Sequence, residues 1–452
     1  MTKYKLYAAY KSSGVEWLGD VPKHWQLKRL KFVCNINPTK AEISHLANDT
    51  KVSFCPMELV GNGTISTETT KLIEEVRQGF TYFRDGDVVV AKITPSFENG
   101  KGAIASNLVN GLGFGTTELH VLRPSSSISR KFLYYLTASG VFREVGAAQM
   151  YGVAGQKRVP NEFLNDFPAP LPPIQEQKSI AHFLDCETTR IDTLITKKRE
   201  LIKLLEKKRA AIVTEAVTKG RDRHVPLKDS SLEWFDGVEI PEHWRITRLK
   251  FLTSQITVGI VVTPAKYYVD SGIPCLRSLN VKEGKLLDTD LVFISSESNE
   301  LHFKSMIFEG DVVIVRTGQP GSTAVVDKRF HGANCIDLII VRKSYILDSH
   351  YLSYLASSDF SKIQFELGSD GAIQQHFNVS TAANLQVLVP PLDEQKSIVS
   401  FLDQKLFQFD KLTRQIDESV KELEKYRQAL ITAAVTGKID VREEVESDRG
   451  VA

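Results

Sequence analysis

Two hydrophobic patterns alternate along the chain, and each of them occurs twice. In the first pattern, short β-branched runs such as residues 87–91 and 119–122 are separated by Gly, Asn, Asp and Pro, which predicts strands joined by turns. Short helices are predicted near residues 130–137 and 349–356. In the second pattern, a Pro-Pro pair precedes a long segment with apolar residues three and four apart, which predicts a long helix. The predicted order is mixed domain, helix, mixed domain, helix.

The two halves of the chain also share sequence signatures. Residues 22–32 return as residues 241–251, and residues 172–185 return as residues 390–403 with ten of fourteen positions identical. Between these signatures the halves share little beyond the pattern of apolar positions. We infer that the chain duplicates a structural frame, formed by these shared signatures, and that the segments between them differ in the two copies. This is expected if the two halves make different contacts.

A heptad-like stripe follows each Pro-Pro pair. The predicted coiled-coil interface positions are Ile191, Leu194, Leu201, Leu205 and Ile212 in the first segment and Phe409, Leu412, Ile416, Leu423, Tyr426 and Leu430 in the second. Lys198, Lys208 and Glu215 interrupt the first stripe, which indicates a specified partner and register. Each helix of roughly 40 residues spans about 60 Å, so we expect the two to pack on each other, antiparallel. A mere spacer between unrelated domains is the alternative.

These patterns predict an α+β protein. We expect two mixed α/β domains in a pseudo-twofold repeat, separated by two long antiparallel coiled-coil helices. The predicted segments are 1–173 for the N-terminal segment and first domain, 174–219 for the central helix, 220–391 for the second domain, and 392–452 for the C-terminal helix and tail. Gly220 and Gly437 fit as helix ends because glycine adopts the left-handed backbone that terminates helices.

Composition adds mainly exclusions. Among 452 residues, Lys and Arg number 57 and Asp and Glu number 55, a net charge of +2, so any nucleic-acid surface must come from local segregation of charge. The five cysteines form no CxxC pair, which favours buried or free thiols in a reducing compartment. No apolar run approaches the roughly 18 residues of a membrane span, and the basic N-terminus lacks a signal-peptide core. A cytoplasmic protein is expected.

Motifs for catalysis are not apparent in the sequence. Asn37-Pro38-Thr39 lacks the second Pro and the aromatic residue of a methyltransferase NPPY loop, and residues 111–115 have the wrong glycine spacing for dinucleotide binding. Asp87 and Lys92 lack the further acid of a nuclease site, and no Walker A sequence or His pair with metal-ligand spacing occurs. We therefore expect a non-catalytic protein that binds and positions, without a metal or cofactor of its own.

The duplicated signatures resemble a known family. The GVEWLG opening, the P-HW…RLK segment and the LPP-QE-IA-FLD start of a long helix, repeated in order, are similar to the specificity (S) subunit of type I restriction-modification systems over nearly the whole chain. The resemblance implies two target recognition domains that each read one half of a split, asymmetric site in double-stranded DNA. It also implies long helices that set the spacing and dock two methyltransferase (M) subunits, which bind S-adenosylmethionine, with restriction-translocase (R) subunits joining them.

Within that resemblance, polar segments of each half become DNA-binding candidates. They are Lys92, Thr94, Asn99, Lys101, Gln156, Lys157 and Arg158 in the first half and Arg316, Gln319, Gln374, Gln375 and His376 in the second. Asn and Gln suit adenine and Lys and Arg suit guanine, at ~1–3 kcal/mol of discrimination for each good pair; phosphate contacts would orient without specifying. For Lys92 and Arg316, a solvated loop charge is the alternative. Half-sites about one helical turn, ~34 Å, apart are expected.

Two other functions stay open at this point. A repeat-built protein interaction scaffold without DNA readout would also duplicate a frame. A fused restriction-methylation enzyme is disfavoured because its catalytic motifs are missing.

Overall fold

The computed structural model describes residues 4–153, 155–232, 234, 239–282, 284–317, 321–367 and 378–444. The chain forms two compact units, of which unit 1 contains Met1–Lys198 and Asp417–Ala452 and unit 2 contains Arg199–Ile416. The central long helix, Ile174–Lys219, and the C-terminal long helix, Leu392–Val435, are each divided between the units. Each unit therefore holds one mixed domain, the first half of one long helix and the second half of the other, which is the composition that antiparallel helices require.

The domain of unit 1 is built on two four-stranded sheets. The first is antiparallel, in the order Cys34–Ile36, Leu119–Pro124, Val88–Ala91 and Gly102–Ile104. The second is mixed, in the order Thr70–Leu72, Lys51–Phe54, Leu112–Gly115 and Thr81–Arg84. Two antiparallel pairs complete it: Tyr10–Ser12 with Asp20–Pro22, and Gln26–Arg29 with Pro168–Leu171. The short α-helices are Ile73–Val76, Arg130–Ala138, Gly140–Ala148 and Asn161–Asp166.

Unit 2 repeats this plan with different loops. Its antiparallel sheet has the order Ile256–Val258, Leu338–Val341, Val312–Val315 and Thr323–Val325. Its mixed sheet has the order Tyr268–Val269, Val292–Ile294, Ile273–Leu276 and Asn334–Cys335. The remaining pairs are Leu227–Asp229 with Glu239–Pro241, Arg245–Arg248 with Gln386–Val389, and Val281–Lys282 with Lys285–Leu286. The short α-helices are Ser296–Leu301, Ser349–Ser357, Asp359–Leu367 and Val379–Asn384.

The repeated signatures meet as one packed motif in each unit. In unit 1 the indole of Trp25, fully buried, donates to Glu176 Oε1 at 2.9 Å, and His24 Nε2 lies 2.7 Å from Glu176 Oε2. In unit 2 Trp244 and His243 contact Glu394 at 3.2 and 2.8 Å. A glutamate at the start of each long helix thus bonds to the repeated His-Trp pair and holds that segment against the helix. This explains why the His-Trp pair and the Glu-Gln pair recur together in both halves.

The glutamine of each Glu-Gln pair bonds the start of the long helix to the domain. Gln177 accepts from the Ser129 amide at 2.8 Å and donates to the Pro172 carbonyl at 2.9 Å. Gln395 makes the same two bonds, to Asp348 at 2.7 Å and to Pro390 at 2.9 Å. The Pro-Pro-x-x-Glu-Gln signature is therefore a structural joint, and the sequence identity between the halves is greatest where the frame is made.

Glycine ends both long helices as predicted. Gly220 and Gly437 have φ of +74° and +72°, and the amide after Gly437 bonds back to the Ala433 carbonyl at 2.8 Å, as in a Schellman motif. A Cβ on Gly437 would lie 2.3 Å from Pro22 Cδ. The helix end therefore packs directly on the strand signature, and only glycine fits there.

Burial along the long helices corrects the predicted interface. The inward stripe steps by four and then three residues: Leu184, Thr188, Ile191, Ile195, Lys198, Ile202, Leu205, Arg209, Ile212 and Ala216 in the central helix, and Leu402, Leu406, Phe409, Thr413, Ile416, Val420, Leu423, Arg427, Leu430 and Ala434 in the C-terminal helix. Seven predicted positions lie in it: Ile191, Leu205, Ile212, Phe409, Ile416, Leu423 and Leu430. The other four, Leu194, Leu201, Leu412 and Tyr426, are 40–44% exposed.

The error has a simple cause. After Ile191 both the third and the fourth residues, Leu194 and Ile195, are apolar, so periodicity alone does not choose between them. The stripe follows the fourth residue. Lys208 and Glu215, which were predicted to interrupt the stripe, are exposed. Of the three predicted charged interruptions, only Lys198 lies on the inward stripe. Arg209 is a second charged residue on that stripe, which the sequence did not predict.

Candidate nucleic-acid interface

In unit 1 the candidate residues lie at the end of a buried strand. Val88–Ala91 is fully buried, and the chain leaves the sheet at Lys92, whose amide donates to the Glu118 carbonyl at 2.8 Å. The loop that follows is closed by backbone bonds from Asn99 to Pro95 at 2.9 Å and from Lys101 to Ser96 at 3.0 Å. The loop is therefore a compact structure that presents Asn99 and Lys101 from fixed backbone positions.

The second candidate segment of unit 1 pairs with this loop. Thr94 donates its amide to the Lys157 carbonyl at 3.0 Å, and the Lys157 amide donates to Thr94 Oγ1 at 3.1 Å. Arg158 forms bridges with Ile93 and with Tyr151. Thr94 and Lys157, which are 63 positions apart in the sequence, thus lie on one surface. We call residues 92–101, 151–153 and 155–158 the loop surface of unit 1.

Charge on this surface is distributed unevenly. Arg158 holds Glu118 through Nη2 at 2.8 Å and Nε at 3.0 Å, so an acid already compensates its charge. No ion pair involves Lys92, Lys101 or Lys157 among the described residues. The three lysines, with the amides of Asn99 and Gln156, are the groups of the predicted set that remain available to a ligand.

A buried, neutral histidine bonds to the backbone at Val159, directly after the loop surface. His120 is buried, with Nε2 3.0 Å from the Val159 carbonyl and Nδ1 3.3 Å from the Asn37 amide. Burial lowers the pKa of His120 to about 4, so the ring is uncharged at neutral pH. The corresponding strand position in unit 2 is Ile339, which is also buried.

Unit 2 places its predicted cation differently. Arg316 leaves the buried strand Val312–Val315 as Lys92 leaves its strand, but its Nη1 lies 2.9 Å from Asp337 Oδ1, and Thr317 donates to the same carboxylate at 2.9 Å. Glu118 and Asp337 are at matching positions of the repeat, because each comes directly before the strand that pairs with Val88–Ala91 or with Val312–Val315. Gln319, Gln374, Gln375 and His376 lie outside the described residues.

Two exposed apolar side chains on the loop surface were missed by the sequence analysis. Tyr151, which forms a bridge with the candidate Arg158, is 66% exposed, and Val153 is 74% exposed. An aromatic ring on a cationic loop is suited to contact with a nucleotide base or sugar. The only signal in the sequence was an aromatic residue in an otherwise polar turn, which is too weak to single out.

The acid that follows each turn before the central strand has a structural role. Asp87 is 1% exposed, accepts from the Arg84 amide at 2.9 Å and is held by Arg123 Nε and Nη2 at 2.8 Å. Asp311 accepts from the Phe308 amide at 2.9 Å and from Arg342 at 2.6 Å. Asp87 is thus a turn acid. The described residues contain no group of three His, Cys, Asp or Glu side chains arranged for a metal ion.

The fold and the site define a class of protein: a chain with two similar mixed domains, each joined to long helices and each presenting its own polar loops. The sequence model for the type I restriction modification DNA specificity domain matches residues 22–204 and 261–422. The chain therefore belongs to the type I restriction-modification specificity family. The predicted resemblance and the predicted fold class of mixed domains with long helices are confirmed.

Individual relatives agree with this assignment. The chain is 27% identical to the specificity subunit of the type I restriction enzyme EcoAI of Escherichia coli, over 87% of this chain and 79% of the relative. It is 22% identical to a putative MjaX specificity subunit of Methanocaldococcus jannaschii, over 94% and 96%.

Solved structures show the same fold. A chain from a study of complex assembly and conformational transition of the type I R-M system matches with a TM-score of 0.72 at 21% identity, over 92% of this chain and 98% of that one. The HsdS subunit of Thermoanaerobacter tengcongensis matches with a TM-score of 0.53 at 20% identity, over 95% and 100%. Among the described residues, no helix is long and apolar enough to cross a membrane.

Proposed function

We propose that this chain is the DNA sequence-recognition subunit of a type I restriction-modification complex, in which each unit reads one half of a split, asymmetric site. The observation that carries the proposal is the duplicated frame with unlike loops. The frame residues, such as Trp25 with Glu176 and Trp244 with Glu394, make matching contacts, whereas the loops differ in charge and partners. Two readers of one design with different contacts are what a two-part asymmetric site needs.

The chemistry of the unit 1 loop surface supports DNA as its ligand. Lys92, Lys101 and Lys157 supply positive charge for phosphates, which fixes register on the duplex. Asn99 and Gln156 are exposed amides of the kind that pair with adenine edges in the major groove. In unit 2 we propose that Arg316, together with Gln319, Gln374, Gln375 and His376, serves the corresponding half-site.

The partner subunits are proposed from the exposed faces of the long helices. Leu201, Leu204 and Phe407 in unit 2 are 44%, 60% and 64% exposed, and Leu194 in unit 1 is 40% exposed. We propose that two methyltransferase subunits dock on these helices and that restriction subunits join that core. This chain contributes no catalytic group and no cofactor, S-adenosylmethionine being bound by the methyltransferase partners. The complex acts on cellular DNA, in the cytoplasm.

Methylome mapping tests the proposal directly. In cells with this gene and its partner genes, methylation is expected at one split, asymmetric motif, and deletion of this gene alone should abolish it. A continuous or palindromic motif would contradict reading by two unlike units. Unchanged methylation after deletion would favour a scaffold without DNA readout.

A block exchange separates the two readers. Replacing residues 26–165 with the block of another family member should change one half of the motif and leave the other half intact. The matched control replaces the corresponding block of unit 2 and should change the opposite half. A change in both halves after either exchange would show that the units do not read independently.

A further inference from the structure

Unit 2 contains a cavity whose described lining residues all belong to that unit. Its volume is about 830 Å³, within the range of small-molecule sites. It lies between the short helix Ser349–Ser357, the turn at Gly321 and the segments of both long helices that belong to unit 2. In unit 1 the space beside the matching short helix, between Gly100, Tyr134 and Arg143, is only about 10 Å³, and none of its described lining residues belongs to a long helix.

Two substitutions between the repeats account for the difference. The nine-residue helices Arg130–Ala138 and Ser349–Ser357 align end to end, which places Ser353 where unit 1 has Tyr134. The Tyr134 hydroxyl reaches Asn62 at 3.4 Å and closes the space, whereas Ser353 turns to Thr323 at 2.9 Å and leaves it open. In the next helix Lys362 replaces Arg143, whose Nη1 approaches the Cβ position of Gly100 in unit 1.

The walls of this cavity carry an excess of positive charge. Among the described lining residues, the charged ones are the cations Arg209, Lys285, Lys362 and Arg414 and the anions Glu206 and Asp410, and Lys362 pairs with Asp359 at 3.0 Å. Asp410 is shared, with Arg209 Nε at 3.9 Å from one oxygen and Lys285 Nζ at 4.0 Å from the other. Both distances are too long for hydrogen bonds, so one carboxylate compensates two cations incompletely.

The same arginine-aspartate pair is closed in unit 1. Arg427 and Asp192, at the matching positions of the repeat, lie 2.9 Å apart through Nε and 3.1 Å through Nη2. In both units the arginine Nε is buried and makes no hydrogen bond of good geometry, but Arg427 Nε lies 2.9 Å from its aspartate, whereas Arg209 Nε lies 3.9 Å from Asp410. A buried guanidinium donor left unsatisfied costs free energy, and here it lines an open cavity.

We propose that the unit 2 cavity binds a phosphate-bearing anion, held by Arg209 with Lys362 and Arg414. Guanidinium and ammonium groups are the side chains that bind phosphate oxygens, and arginine does so with a planar fork of donors. The anion would satisfy the orphaned Nε of Arg209 and balance positive charge that Glu206, Asp410 and Asp359 leave uncompensated among the described residues. The proposal does not depend on the DNA-reading role of the loops.

Titration calorimetry of the full chain with inorganic tripolyphosphate tests the site. We expect saturable binding of one equivalent, weakened at least tenfold by Arg209→Gln. The matched control is Arg427→Gln, the same change in unit 1, which should leave the affinity within twofold. Absence of saturable binding, or equal affinity in wild type and Arg209→Gln, would overturn the proposal.

A cavity-filling variant distinguishes an enclosed site from general surface charge. Ser353→Tyr copies Tyr134 and keeps all four cations, and we expect it to abolish binding. Lys362→Gln, a change at a half-exposed position, provides a second loss of charge that leaves the core untouched and should also weaken binding. Retained affinity in a folded Ser353→Tyr protein, checked by circular dichroism, would contradict binding in the cavity.

Competition identifies the source of the phosphate. If a DNA duplex displaces tripolyphosphate, and Arg209→Gln lowers DNA affinity, the site takes a phosphate of the DNA backbone. If the duplex binds without displacing tripolyphosphate, the site takes a free phosphorylated small molecule. Failure of methylation at a split motif would contradict the DNA-reading role alone, since tripolyphosphate binding is measured without DNA.

Discussion

Unit 1 and unit 2 share the contacts that hold each domain to a long helix, and they differ in the side chains and the cavity near those contacts. Both fix a buried tryptophan to a glutamate at the start of a long helix, and both neutralise a buried aspartate with an arginine from the neighbouring strand. By contrast, a buried histidine in unit 1 is an isoleucine in unit 2, and a filled space in unit 1 is a cavity in unit 2. Duplication therefore preserved the residues that make the frame, while the residues facing ligands diverged.

The largest expected effect tests whether the frame is equivalent in the two units. Arg123→Met should leave Asp87 buried without its partner and cost about 3–5 kcal/mol of unfolding free energy, because an uncompensated buried charge is strongly unfavourable. Arg342→Met should do the same to Asp311. Hydrogen exchange resolves the two units, and each variant should destabilise its own unit. A cost under about 1 kcal/mol in either would show that the pair is not part of a shared frame.

The next effect sharpens the assignment of the buried helix stripe in unit 1. Ile195 is 6% exposed and Leu194 is 40% exposed. Ile195→Ala should cost about 2–5 kcal/mol because it removes buried methylenes, whereas Leu194→Ala should stay within about 0.5 kcal/mol. Urea unfolding of the two variants measures the difference. The reverse order would restore the register predicted from the sequence.

Acid sensitivity should separate the units because only unit 1 has the buried histidine on this strand. The pKa of His120 is about 4 when folded and about 6.5 when unfolded, so the unfolded chain binds more protons between these values. The stabilisation is complete above about pH 6.5 and is lost as the pH falls towards 4, by roughly 3 kcal/mol.

The test for this histidine is a pair of unfolding titrations at pH 7 and pH 4. His120→Gln keeps a donor for the Val159 carbonyl but does not titrate, so the loss of stability between the two pH values should be smaller than in the wild type. Equal losses in both proteins would mean that His120 does not sense pH.

The smallest effect compares the two cations at the strand ends. Lys92→Ala should weaken non-specific DNA binding modestly and reduce the salt dependence of log K by about one ion, because a phosphate contact releases a counterion. Arg316→Ala should change the salt dependence less, since Asp337 already compensates Arg316. Fluorescence anisotropy at several salt concentrations measures both slopes. Equal slopes would remove this difference between the units.

The sequence by itself determined the repeat, the long helices, their glycine ends and the family, because these depend on local patterns and identical segments. It identified Lys92, Lys157 and Arg158 separately, but gave no sign that Glu118 would hold Arg158. It also placed Leu194, Leu201, Leu412 and Tyr426 in the helix seam, since a stripe with apolar residues at both the third and fourth positions is ambiguous.

Only the tertiary structure decided which side chains meet. The pairing of residues 92–101 with residues 151–153 and 155–158, the neutral state of His120, and the choice of Ile195 over Leu194 all depend on contacts between segments distant in sequence. The cavity of unit 2 depends on the volumes of two side chains, Ser353 in place of Tyr134 and Lys362 in place of Arg143, and on neighbours from segments distant in sequence. Local propensity carries no information about such distances, because burial and electrostatics are set by everything that packs around a group.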